Sequence, residues 1–172
     1  MILKLLIEEL TTKPVEFTIV NKDADTFRVD FKVSEAEYDF IAFKRMVKNR
    51  NKKTDLNYWN ISFFLKNEKS EKSIGISNTG NANIVFSTVI NILKKFISMY
   101  KPDAVLFSTM NHMSRLSLYK RFIKTIEKYI SGYKGIELGN INNLEIAFGI
   151  MKKEIPNEKL DVFKVIPKTT HK

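Results

Sequence analysis

Cysteine is absent from this 172-residue chain, and histidine occurs only as His112 and His171. The first absence removes disulfides, thiolate nucleophiles and cysteine-based zinc sites together. The second leaves too few imidazoles for a histidine-rich metal site, so no metal is expected. A lack of cysteine also suits a reducing compartment. The N-terminal MILKLLIEELTTKP begins apolar but carries Lys4, Glu8 and Glu9. It is too short and too charged for a signal peptide or a membrane span. It reads as a short first helix or strand packed on the domain, and the chain as soluble, intracellular and without a membrane partner. There is no internal repeat and no low-complexity segment.

What is present is a globular composition, 44% hydrophobic and 12% aromatic, long enough to bury a real core. Length favours one domain, drawn over residues 1–155, with 156–172 as a polar C-terminal tail. The net charge is +10, a field that favours nucleic acid, acidic proteins or anionic cofactors without choosing among them. The positive charge is densest in KRMVKNRNKK, where Lys44, Arg45, Lys48, Arg50, Lys52 and Lys53 fall within ten residues. Such a turn can contact phosphates or an acidic protein, or it can be a solvated hairpin loop.

Hydrophobic periodicity sets the elements. Val15–Val20 reads as a strand and Asn21–Asp25 as a polar turn. In Thr26–Val33 the residues Phe27, Val29, Phe31 and Val33 alternate with Arg28, Asp30 and Lys32, the period of a half-buried strand. Glu37–Val47, with Tyr38, Phe40 and Ala42 inward, and Asn57–Lys66 read as the next strands, and Glu71–Ser77 as a short fifth. Together they form an antiparallel meander. From Asn81 to Tyr100 the period changes to that of a helix through Val85, Phe86, Val89, Leu93, Phe96 and Ile97, and Pro102 stops it. Ala104–Ser108 is a continuous apolar strand. Arg115–Ile130 is a helix with Leu116, Tyr119, Phe122, Ile123, Ile126 and Ile130 inside and Lys120, Arg121, Lys124 and Lys128 outside. Gly132 and Gly135 are expected to end it, and Leu144–Met151 to be the last strand. A meander followed by helix, strand, helix and strand is an α+β (α/β three-layer) order.

That order is similar to the GCN5-related N-acetyltransferase (GNAT) fold. In that family a loop of pattern Gln/Arg-x-x-Gly-x-Gly/Ala precedes a helix whose N-terminal amides hold the pyrophosphate of acetyl-coenzyme A. Here Ser77-Asn78-Thr79-Gly80-Asn81-Ala82 matches the Gly-x-Ala half, with Ser77 where Gln or Arg would stand. The family also tends to place a Leu-Tyr pair in the following helix, the Tyr protonating the departing thiolate; Leu118-Tyr119 falls at that point. The resemblance therefore implies acetyl-coenzyme A as cofactor, N-acyl transfer as activity and Tyr119 as general acid. A second resemblance covers about Tyr38 to Tyr133. The strings ISNTGNANIVFSTVINILKKFI, KPDAVLFST and SRLSLYKRFIK look like those of uncharacterised tailed-bacteriophage proteins. It implies a phage origin, in host cytoplasm or virion, with other phage proteins as partners.

Each of these residues has a plainer reading beside the chemical one. Gly80 can be a turn glycine before a capped helix, and Tyr119 continues an apolar stripe. Arg115 can bind an anion presented to Gly80 or sit exposed at a helix start. His112 reads as a loop residue and Asp103 as a turn or cap residue. The carboxylates that could serve as a base, Glu35, Glu37, Asp39 and Glu145, form no pattern. Two functions follow. One is a phage acyltransferase that binds acyl-coenzyme A. The other is a non-enzymatic phage protein that keeps the fold and contacts nucleic acid or an acidic protein.

Overall fold

In a computed structural model, which describes residues 13–45, 56–66, 81–110, 113–141 and 145–159, the strand expected over Thr26–Val33 occupies those eight residues. Its burial alternates as the sequence requires, with Phe27, Val29, Phe31 and Val33 all buried. The elements are β1 (Phe17–Lys22), β2 (Thr26–Val33), β3 (Ala36–Arg45), β4 (Tyr58–Leu65), α1 (Ala82–Tyr100), β5 (Ala104–Met110), α2 (Met113–Tyr129), β6 (Tyr133–Asn140) and β7 (Glu145–Lys152). Seven strands and two helices among the described residues make the class α+β. The expected segments before Thr12 and over Glu71–Ser77 lie outside the described residues.

The chain groups into two compact units, Met1–Lys44 with Asn60–Lys101 and Arg45–Trp59 with Pro102–Lys172. In the first, the strand order is β1-β2-β3-β4. β1, β2 and β3 pair antiparallel, and opposite residues such as Val29 and Phe40, or Phe31 and Tyr38, share the inner face. Phe31 and Tyr38 stack at 5.0 Å. Helix α1 lays its apolar stripe on this face: Phe27 meets Phe96 at 5.5 Å and Tyr100 at 5.9 Å, and Phe63 meets Phe86 at 6.2 Å. Aromatic pairs at these separations add to plain burial. By length and composition α1 could also cross a membrane, a property shared with core helices, and ten of its residues are buried here. It ends where Lys101 turns left-handed (φ 45°) and donates its N–H to Ile97 O at 2.9 Å. Pro102 then prevents continuation.

In the second unit the order is β5-β7-β6, with both pairings antiparallel. Phe107 of β5 contacts Tyr119 and Phe122 of α2 and stacks on Phe148 of β7, so this face of the strands carries the helix. Side chains of opposite parity gather on the other face, where Ala104, Leu138 and Met151 form a cluster with Tyr58.

Strand β6 is a correction to the sequence reading. Gly135 does not end α2; it lies inside β6, where a Cβ would come within 2.3 Å of Ile123 O. The helix packs so closely there that only glycine fits. Gly139, at φ 96°, sits where the β6–β7 register shifts, a bulge that calls for glycine. α2 ends at Tyr129 and Gly132, at φ 81°, makes the turn that follows.

Asp103 ties the start of β5 to its surroundings. Its carboxylate accepts the Asn57 N–H at 2.8 Å and the Lys152 ammonium at 2.7 Å. Its own N–H goes to Asn57 O at 2.7 Å, and its carbonyl accepts from Lys152 N at 3.0 Å. Beside it the Tyr133 hydroxyl donates to Pro102 O at 2.7 Å. Asp103 is thus the turn residue its position suggested.

Candidate functional site

The cofactor-binding turn expected from the sequence runs into the first turn of α1. The apolar stripe begins at Ala82, and the helix follows Asn81, whose backbone (φ −91°, ψ 4°) already accepts the Val85 N–H through its carbonyl at 3.0 Å. The Asn81 side chain does not cap the helix; its amide reaches Ser34 Oγ at 3.2 Å. Ser34 is held there by the tight β2–β3 turn, in a left-handed conformation of φ 53°. The first turn also contains no acidic residue. Nineteen aligned peptides therefore end in N–H groups that neither the Asn81 side chain nor an acidic residue of the first turn neutralises, the setting in which anions bind. Ser77, Asn78, Thr79 and Gly80 lie outside the described residues. Asn81 and Ala82 are half-buried at this helix start.

Tyr119 lies in the second unit. It is 1% exposed, with Phe107 at 5.7 Å and Phe148 stacked at 6.1 Å. Its ring completes an apolar stack. Arg115 is in the first turn of α2, and His112 lies outside the described residues. The four carboxylates do not converge. Glu35 is exposed and pairs with Lys32 at 3.4 Å, Glu37 is exposed and Glu145 half-buried. Asp39 alone is buried, and it is engaged by Arg28. Among the described residues no three of His, Asp and Glu gather as metal ligands.

The Asp39 pair escaped the sequence reading. On the outward parity of β2 and β3, Arg28 grips Asp39 through Nε at 3.0 Å and Nη2 at 2.6 Å. The Asp39 side chain is only 4% exposed, against 42% for Arg28. Asp30 stands opposite Asp39 in the register and is paired by Lys66. Two carboxylates facing each other across a ladder repel, and one cation on each relieves this. The hydrogen bond and charge of Asp39 raise the Arg28 pKa above its ordinary value. A single Asp amid aromatic alternation was the available signal; alternation assigned it to solvent.

Positive charge is displayed on the outer side of α2, where Lys120, Arg121, Lys124 and Lys128 are all exposed. Lys44 and Arg45 are exposed at the end of β3, while Lys48, Arg50, Lys52 and Lys53 lie outside the described residues.

Two phenols of the second unit are perturbed by their surroundings. Burial, with Asp103 and Glu154 adding negative charge, pushes Tyr133 up to about 12. Burial also raises Tyr58, against the lowering effect of Arg45. Both serve the packing of the second unit.

Among known families, the model described as "Family of unknown function (DUF6934)" matches residues 20–142, well over half of the chain. No curated protein matches the chain.

Proposed function

This chain belongs to the DUF6934 family of unknown function, and from that starting point we propose that it is a phage-encoded protein of acetyltransferase-like fold that binds an acyl-coenzyme A at the N-terminus of α1. The observation that carries this reading is that terminus: a long helix whose first turn has no cap from Asn81 and no acid. A pyrophosphate would accept from those amides and meet the positive end of the dipole. The order of meander, helix, strand, helix and closing strands supports the same reading.

Binding has more support than transfer. N-acyl transfer needs a base for the amine and an acid for the departing thiolate. Tyr119 is packed between Phe107 and Phe148, and the one buried carboxylate of the four candidates, Asp39, is held by Arg28. These two observations favour a second reading, in which the chain keeps the fold as a non-enzymatic binder.

Calorimetric titration with acetyl-coenzyme A, comparing the wild type with Asn83→Asp, separates the outcomes. The substitution is nearly isosteric and adds a negative charge in the first turn of α1. It should hold or raise the melting temperature, because the charge suits the helix dipole. Acetyl-coenzyme A binding should nevertheless fall at least tenfold, because that charge repels the pyrophosphate. No heat at millimolar ligand with folded wild-type protein would rule out the acyl-coenzyme A reading.

A further inference from the structure

We propose that the outer side of α2 is a nucleic-acid backbone-binding surface, with Lys120, Arg121, Lys124 and Lys128 as its phosphate contacts. At 100° per residue these four cations fall within an arc of about 100° on the helix, with Ser117 inside the same arc. The buried face of Tyr119, Phe122, Ile123, Ile126 and Ile130 occupies the opposite side. All four cations are exposed. From Lys120 to Lys128 the row measures about 12 Å, the axial length over which one strand of a duplex presents three or four phosphates.

The row is weakly neutralised. Lys120 meets Glu137 at 3.5 Å, with both side chains 44% exposed, a pair that water and salt attenuate. Glu127, at the margin of the arc, faces Lys153 at 3.4 Å. Among the described residues the Arg121 side chain reaches only Ser117 Oγ, at 3.4 Å. Lys124 and Lys128 have no acidic partner within 4 Å among the described residues. A nucleic acid fits better than an acidic protein because the cations lie in a line on a rigid helix and have no aromatic or apolar anchor between them. A protein interface would be expected to bury such an anchor, whereas a phosphate backbone needs only spaced charge. This inference is independent of acyl-coenzyme A binding and holds whether or not that ligand is found.

The test is fluorescence anisotropy with a labelled 20-base-pair duplex and the full chain, across 50–200 mM NaCl. The fourfold variant Lys120→Gln, Arg121→Gln, Lys124→Gln, Lys128→Gln is compared with a charge-matched control, Lys22→Gln, Lys94→Gln, Lys95→Gln, Lys101→Gln. The expected results are measurable wild-type binding, a slope of log affinity against log salt reduced by two or more in the α2 variant, and at least a tenfold loss at 100 mM. The control should stay within threefold of wild type. Lys124→Gln alone should lower the slope by about one. Three results would overturn the proposal: no wild-type binding at 50 mM, an equal loss in the control, or preference for polyglutamate over the duplex at matched charge. Circular dichroism of the variants, whose substitutions are all at exposed positions, separates loss of binding from loss of fold.

Discussion

At the scale of single residues, Arg28 and Asp39 show how an outward-facing position can still be buried. Alternation along β2 and β3 assigns both to the face away from the Phe27–Phe40 core, yet the Asp39 side chain is almost fully covered. A buried carboxylate keeps its charge only beside a partner, so the cost of losing that partner exceeds the net worth of the pair. Arg28→Met should lower unfolding stability by about 3 kcal/mol. Adding Asp39→Leu to it should recover most of that loss, because the uncompensated charge is gone. Urea unfolding of the single and double variants checks both; equal stability of the single variant and wild type would show that Asp39 finds water instead. Tyr119 teaches the converse. Its position in an apolar stripe predicted burial, and the structure packs it against Phe107 and Phe148.

At the scale of elements, legibility followed periodicity. β2 was readable to the residue because four polar-to-apolar alternations leave one register that buries Phe27, Val29, Phe31 and Val33. Both helices were readable because their stripes persist over several turns, and the start of α1 followed from the onset of that stripe at Ala82. β6 was not legible. YKGIELGN offers only Ile136 and Leu138 as an alternating pair, and its two glycines resemble loop punctuation. Their real causes, the contact with Ile123 and the bulge at Gly139, are tertiary. β6 also begins with the residue that links its stability to pH. Tyr133 is held protonated up to about 12, above the ordinary phenol value near 10. Its folded pKa is raised, so its contribution is complete below pH 10 and is lost as pH rises from 10 to 12. The wild type should lose on the order of 2 kcal/mol across that window. Tyr133→Phe should lack this part of the slope while being less stable at neutral pH, having lost the bond to Pro102 O. Chemical denaturation at pH 9, 10, 11 and 12 measures the difference.

At the scale of the whole molecule, charge and connectivity matter more than any one contact. With a net charge of +10, self-repulsion opposes the compact state. The pairs Lys32–Glu35, Lys120–Glu137 and Lys153–Glu127 are all exposed and contribute little. Raising ionic strength from 10 to 100 mM shortens the screening length from about 30 Å to about 10 Å, so the melting temperature should rise by a few degrees. A fall in scanning calorimetry would mean that attractive pairs outweigh the repulsion.

The tie at Asp103 has a kinetic side. It joins Asn57 and Lys152 to one carboxylate across sequence separations of 46 and 49 residues. Releasing the whole tie means parting segments that are far apart in the chain. The amide protons of Asn57, Asp103 and Lys152 are all bonded within this tie, and an opening that breaks it exposes them to solvent deuterium together. These amides, at the ends of elements where exchange is ordinarily fast, should therefore be among the slowest clocks of the second unit, and Asp103→Asn should speed all three together.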